Sequence, residues 1–307
     1  MPAVRRIELP GVGPEDVVIG TEGLAYTGIG DGRILRVDLT SGAVETVLNT
    51  GGRPLGLCAG SDGSLLICDA HRGLLRWPGT GTEVDVLVDA IEGVPLNMAS
   101  NVVQDPADGT IYFTASSRRW PLDQWMGDML EHSGTGRLLR YSPDGTVDTL
   151  LDGLHFANGV AFAPDRASLI VAETGAYRLD RYWLRGPKAG TREVLIDNLP
   201  GFPDNIALGS DGLIWVTLVS PRNPLLDLLL PQPGLVRKLL WQLPDRLMPR
   251  PVRTAWVIAV DQDGTLVHDL QRDGAAYAMV TGVAEAHGTL VLGSLDEAAL
   301  AVTRIPA

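Results

Sequence analysis

Along this chain apolar and polar residues alternate in short runs, and most runs follow a turn rich in Asp and Gly. A phrase of the form Asp-Gly-x-apolar-x-apolar recurs: DGRILRV from Asp31, DGSLLIC from Asp62, DGTIYFT from Asp108, DGTVDTL from Asp144, DGLIWVT from Asp211 and DGTLVHD from Asp263. APDRASLIVAE from Ala163 is a further copy with a longer turn. Asp-Gly supplies the positive-φ positions of a tight hairpin, and the period-two alternation behind it marks a strand. Helical spacing is almost absent outside 223–249. There Leu225, Leu226 and Leu229, then Leu235, Leu239 and Leu243, recur at helical intervals around Pro231 and Pro233. Two short amphipathic helices are predicted in that stretch, beside or over a pocket.

Many hairpins and few helices leave a sandwich, a barrel or a propeller. The larger period decides. Cuts at 11–52, 53–93, 94–154, 155–201, 202–274 and 275–307 give six units of about four strands each, the last one short. VRRIELP near the N-terminus can supply the missing outer strand, which closes the ring and removes free sheet edges. The prediction is an all-β, six-bladed β-propeller, one domain over 1–307, with an N-terminal strand closing the last blade and a small helical insertion around 223–249.

The inner strand of each blade lines the central channel. These strands begin PEDVVIG, PLGLCAG, ASNVVQD, FANGVAF, PDNIALG and VTGVAEA. Glu15 and Asp16, Asn101, Asn158, and Asp204 with Asn205 stand at the channel-facing ends, an array of hard oxygen donors converging from different blades. Calcium takes 6–8 such oxygens at flexible geometry. Asp and Asn also gather at turns for backbone reasons, so taken singly each residue fits either reading.

Composition narrows the function classes. A formal net charge of −12 argues against nucleic-acid or anionic-membrane binding, which needs clustered Lys and Arg. Cys58 and Cys68 are too few for a disulfide framework, the start MPAVRRIELPGVGPEDV lacks the apolar run of a signal peptide, and no stretch approaches a membrane span. A cytoplasmic protein, monomeric or weakly homo-oligomeric, with a small-molecule substrate as its partner, is expected.

FANGVAFAPD (156–165) and GFPDNIALGSDGLIWV (201–216) resemble the superfamily of gluconolactonase and senescence marker protein, serum paraoxonase and strictosidine synthase-like proteins. The likeness is greatest to the strictosidine synthase-like branch, which includes adipocyte plasma membrane-associated protein. It is carried by GRPLGLCAGSDGSLLICDAHRGL, DGTIYFTASSRRW, EHSGTGRLLRY and VAETGAYRLDRYWLRGPKAGTREVLIDNLPGFPDNIA. The resemblance implies a six-bladed propeller with one divalent cation, calcium, at the channel top. It implies Glu15, Asn101, Asn158, Asp204 and Asn205 as metal ligands. The glutamate that strictosidine synthase uses for condensation falls on Thr281, which argues against true strictosidine synthesis. Of the paraoxonase histidine pair, the first position falls on Leu55 and the second on His71.

The leading expectation is a calcium-dependent carboxylic-ester hydrolase of the lactonase or arylesterase type. Asp204 would serve as general base or nucleophile, with His71 as a second catalytic group. Leu55, Met98, Phe156, Phe202, Trp120 and Trp125 would wall a pocket for a small apolar lactone or ester, the two tryptophans coming from the long hairpin 116–136. His155 would pack or orient the neighbouring asparagine, and Glu173 would be a buried carboxylate bonded to backbone or Arg. Two alternatives stay open: a non-catalytic binding propeller, whose channel would be filled by side chains, and a secondary-metabolism enzyme of condensation or isomerisation.

Overall fold

In the computed structural model, which describes residues 1–234, 236–237 and 251–306, six four-stranded antiparallel sheets stand around a central channel. Their inner strands are Val17–Ile19, Pro54–Ala59, Ala99–Gln104, Ala157–Phe162, Gly201–Leu208 and Val280–Ala286. The protein is a six-bladed β-propeller. The sixth blade is completed from the other end of the chain: Arg5–Glu8 pairs antiparallel with Ala299–Arg304, Arg5 facing Val302 and Glu8 facing Ala299. Core residues lie mostly in the layers between blades; Trp215, for example, is fully buried among Val257, Val280 and Leu292.

The Asp-Gly phrase marks hairpins, but not one repeated place in the blade. Asp62, Asp108 and Asp211 turn the inner strand into the second, Asp31 the second into the third, and Asp144 and Asp263 the third into the outermost. At five of these turns the Asp carboxylate accepts from the backbone two residues on, as from Ser64 N at 3.0 Å and Leu213 N at 2.9 Å, while at the sixth Asp261 accepts from Asp263 N at 2.9 Å. Gly63 and Gly212 then take φ of +81° and +79°, a region open to glycine.

Two helices stand over one end of the channel. The first, α1 (Trp125–Glu131), lies in the 116–136 hairpin, where strand alternation gave no helical signal. It forms because its buried residues Gly127, Met129 and Leu130 pack inward; a Cβ on Gly127 would come within 2.5 Å of the Trp120 ring. The second, α2 (Pro224–Leu229), falls in the predicted insertion. Pro224 opens it, and Asn223 caps it by accepting from Leu225 N at 3.0 Å and Leu226 N at 3.3 Å. The second predicted helix, on Leu235, Leu239 and Leu243, rests on residues outside the described ones. Arg237 joins the two regions, donating to the carbonyls of Leu130 (2.9 Å), Glu131 (3.0 Å) and Leu230 (2.8 Å).

Candidate active site at the channel top

Blades two to six share a defect in their inner strands. Pairing slips so that two residues oppose one on the second strand: Leu55-Gly56, Ser100-Asn101, Asn158-Gly159, Asp204-Asn205 and Thr281-Gly282. Such bulges re-aim side chains, and here they turn consecutive residues toward the channel. In blade one Glu15-Asp16 occupies the same level, since a Cβ on Gly282 would sit 2.7 Å from Asp16 Cα and 2.8 Å from Glu15 O.

The first members in blades one to five belong to one end of the channel, and the sixth, Thr281, is buried with its hydroxyl on Glu15 O. Glu15, Leu55, Ser100, Asn158 and Asp204 line a cavity of about 210 Å³ beneath α1 and α2. The second members alternate: Asp16, Gly56, Asn101, Gly159, Asn205, Gly282. Cβ atoms on Gly56 and Gly159 would lie 2.4 Å from Asn101 Cα and 2.8 Å from Asn205 Cα, so glycine in every other blade lets the next backbone close in. The three remaining polar side chains are bonded across the channel. Asn101 Nδ2 donates to Asn205 Oδ1 at 3.0 Å and to Asp16 Oδ2 at 3.4 Å, and Asn205 Nδ2 donates to Glu15 Oε1 at 3.1 Å.

This register places the expected ligands at two different levels of the channel. Asn101 lines the opening at the opposite end of the channel, beside Asp16, and its Oδ1 accepts from Val160 N at 3.2 Å. The residue of that bulge that reaches the cavity is Ser100, whose hydroxyl donates to Asn158 Oδ1 at 3.0 Å. Asn205 stands between the two levels, bonded up to Glu15 and down to Asn101. Aligning the six inner strands on the apolar residue after each pair, from Val17 and Leu57 to Val283, was the sequence signal that would have selected Ser100.

Second-strand residues brace the arrangement. Thr114 Oγ1 donates to Asn158 O at 2.5 Å, Thr217 Oγ1 to Asn205 O at 3.0 Å and Thr281 O at 2.8 Å, and Cys68 Sγ to Asn101 O at 3.4 Å. All three stand opposite bulges and are fully buried, which gives Cys68 a packing role like that of the threonines.

The electrostatics are unusual for carboxylates. Glu15, Asp16 and Asp204 are 5%, 4% and 8% exposed. Burial pushes Glu15 up to about 7 against the Arg53 charge and the Asn205 hydrogen bond, and pushes Asp16 up to about 8 with help from Glu15. Asp204 is raised well above the usual range, by burial first and then by the Glu15 charge; the bond from Asn158 Nδ2 to its Oδ1, at 2.8 Å, opposes this. Glu15 Oε2 is buried with no hydrogen-bond partner among the described residues. Two crowded carboxylates, an orphaned oxygen and the neutral oxygens of Asn158 and Ser100 form a donor set that suits a hard divalent cation. Among the described residues no three His, Cys, Asp or Glu side chains gather as a metal cluster, so any such site depends on these neutral oxygens.

Of the expected pocket residues, Leu55, Met98, Phe156, Phe202 and Trp125 line the cavity. Trp120 does not: its ring packs on Gly127, and its indole nitrogen donates to Glu131 Oε2 at 2.7 Å. Leu122, Met126, Met129, Leu130, Met279 and Leu295 add apolar wall that the sequence reading passed over. His71 is exposed on a turn and absent from the lining. Asp69 holds that turn through Arg53 N, His71 N and Arg72 N, at 3.0, 2.9 and 3.1 Å. His155 stacks on His132 with ring centres 3.9 Å apart, and its backbone nitrogen donates to Glu173 at 2.6 Å. Glu173 is fully buried and paired with Arg178 and Arg192.

Comparison with known proteins places this architecture. The strictosidine synthase family matches residues 101–187, and the strictosidine synthase-like N-terminal family matches residues 1–37. Strictosidine synthase-like 6 of Arabidopsis thaliana is 35% identical over 90% of this chain and 76% of its own length. The chain belongs to the strictosidine synthase-like family. Within that family it is also 34% identical to adipocyte plasma membrane-associated protein of Bos taurus, over 95% of this chain and 76% of the relative. Among solved structures it is similar in fold to a gluconolactonase from Xanthomonas campestris, with a TM-score of 0.69, 18% identity, and coverage of 99% of this chain and 89% of that one. Regucalcin from Agrobacterium tumefaciens, described as a calcium-binding protein, gives a TM-score of 0.69 at 16% identity over 99% and 94%. Among the described residues of this strictosidine synthase-like chain, no helix is long and apolar enough to cross a membrane.

Proposed function

We propose that this chain is a calcium-dependent hydrolase of the lactonase or arylesterase type, acting on a small, largely apolar ester or lactone. The observation that carries the reading is the pairing of two buried carboxylates, Glu15 and Asp204, with an orphaned Glu15 oxygen, on the floor of an apolar cavity. Uncompensated charge is costly in such a place unless a cation shares it. Glu15, Asn158, Asp204 and Ser100 would hold the ion, with Asn205 positioning Glu15. When bound, a divalent cation supplies Lewis-acid polarisation of a carbonyl oxygen. Calcium is assigned because every donor is a hard oxygen, and regucalcin, of the same fold, is described as calcium-binding.

The chain's own residues supply the remainder. Asp204 faces the cavity and accepts a proton from water as general base. Asn158 Nδ2 fixes one Asp204 oxygen, which orients the carboxylate, and the apolar walls exclude bulk water. Asp16, Asn101 and Asn205 bond to one another across the channel, and above them the upper level opens into the apolar cavity. An open upper level supports catalysis over a purely structural channel. At the position where the resemblance puts the condensing glutamate, Thr281 donates its hydroxyl to Glu15 O at 2.6 Å. It offers no carboxyl there.

A panel of aryl esters and lactones, assayed with calcium and with EDTA, tests the reading. Calcium-dependent turnover of at least one member is the expected result. Turnover unaffected by EDTA overturns the metal dependence, and no turnover across the panel overturns the hydrolase.

A further inference from the structure

Two residues ahead of each channel-facing pair stand Gly13, Arg53, Met98, Phe156, Phe202 and Met279, in blades one to six. Four of them have left-handed backbone: Gly13 at φ 72°, Met98 at 49°, Phe156 at 57° and Met279 at 53°. Blade one meets that conformation with glycine, the residue it suits. Blades three, four and six meet it with large apolar side chains, for which it is disfavoured. The backbone therefore gives no reason for Met, Phe and Met at these places; the side chains do.

All three side chains line the cavity over the carboxylates, and Phe202 of blade five completes the arc. The surroundings hold the strained peptides in place. Met98 N donates to Ala70 O at 3.2 Å and Met98 O accepts from Ser116 N at 3.0 Å. Phe156 O accepts from Thr174 N at 3.1 Å, and Met279 is bonded to Thr254 O and Leu295 N, both at 3.0 Å.

We propose that Met98, Phe156 and Met279 are specificity-determining residues that select substrates with an apolar portion of medium length. An apolar cavity of about 150 Å³ takes up benzene, and this one measures about 210 Å³. An acyl or alkyl portion of roughly six to eight heavy atoms therefore lies against these side chains, with the reacting carbonyl over Glu15 and Asp204. The assignment deepens the ester-or-lactone reading and rests on it for turnover, but not for binding.

The test is Phe156→Gly, which removes the wall and relieves the backbone, beside Phe156→Leu, which keeps apolar bulk. Two quantities are measured: affinity for N-phenyl-1-naphthylamine, a neutral apolar fluorophore, and relative rates on 4-nitrophenyl esters from acetate to dodecanoate. Phe156→Gly is expected to stay folded with a lowered melting temperature, since the backbone relief offsets only part of the lost packing with Leu55, Met98 and Met129, to bind the fluorophore about tenfold more weakly, as the loss of one buried aromatic contact implies, and to move its preference toward longer esters. Phe156→Leu is expected to stay close to the parent. A folded Phe156→Gly with unchanged affinity and unchanged ester preference overturns the proposal. Should Phe156→Gly not fold, Met279→Gly is read in the same way, and failure of both to fold overturns it too, since the side chains are then structural. If the parent hydrolyses no ester, the hydrolase reading fails while the fluorophore still decides the wall.

Discussion

Asn205 donates its side-chain amide to Glu15 Oε1 at 3.1 Å, joining blade five to blade one across 190 positions of sequence. The bond uses one Glu15 oxygen and leaves the other, Oε2, buried without a partner among the described residues. The proposed cation site rests on this carboxylate, fixed on one side and bare on the other.

The purified protein is expected to carry about one calcium per chain, and calcium added after EDTA should raise its melting temperature. Ligand binding stabilises by mass action, about 2.7 kcal/mol at a hundredfold excess over Kd. Glu15→Gln should weaken this shift. Elemental analysis and thermal scans check it, and an apoprotein indifferent to calcium contradicts the site.

Asp204→Asn should keep the fold, because an amide preserves volume and still offers an oxygen, yet lower hydrolysis by about a hundredfold or more at saturating calcium, the scale of general-base catalysis. Glu15→Gln is the matched control: it removes one charge and has no proton role here. Equal losses in both variants would make Asp204 a ligand only.

Without metal, stability should fall as pH rises from 7 to 8.5. Folded Glu15 and Asp16 are raised to about 7 and about 8, above ordinary values of 4.5 and 3.8, chiefly by burial. Below the ordinary values both states hold these protons, and the contribution is fully present. As pH climbs through the folded values the native state must release protons that the unfolded chain has already lost, and the contribution disappears. Asp180, raised to about 7 by burial and by Glu173, acts in the same direction. His132, lowered to about 4 by burial, is mostly neutral in both states across this window. Melting temperatures in EDTA check the slope; Asp16→Asn should flatten it, and saturating calcium should remove the Glu15 part.

Gly159→Ala should destabilise by about 1–3 kcal/mol or more, the usual cost of overpacking. Its Cβ would meet Ile206 N at 2.5 Å, Asp204 O at 2.7 Å and Asn205 Cα at 2.8 Å, all backbone atoms. The push falls on the strand bearing Asp204, so calcium affinity should fall with the melting temperature. Denaturant unfolding with and without calcium measures both.

Local signals along the chain were enough to specify the propeller. Asp-Gly turns and period-two runs are local signals, and six copies of a hairpin unit leave few ways to bury their faces; even the closing strand Arg5–Glu8 was legible as the outer strand the short last unit lacked. The sequence also marked Glu15, Asn158 and Asp204 as channel-facing, where they line the cavity, because carboxylates and amides at the start of otherwise apolar strands stand out. What it did not carry was the level at which each residue sits. Only the bulged pairing brings Ser100 to the cavity and leaves Asn101 below it, since a slip of one residue redirects a side chain and depends on the partner strand rather than on the residue itself. Helix α1 was invisible for a similar reason: seven residues have little helical preference alone and are held by what they pack against. His71 looked available in the sequence, and the carboxylate of Asp69, by gathering three backbone nitrogens, fixes its turn with His71 exposed and outside the cavity wall. Local chemistry writes the strands and turns; the contacts between blades decide which side chains share a site.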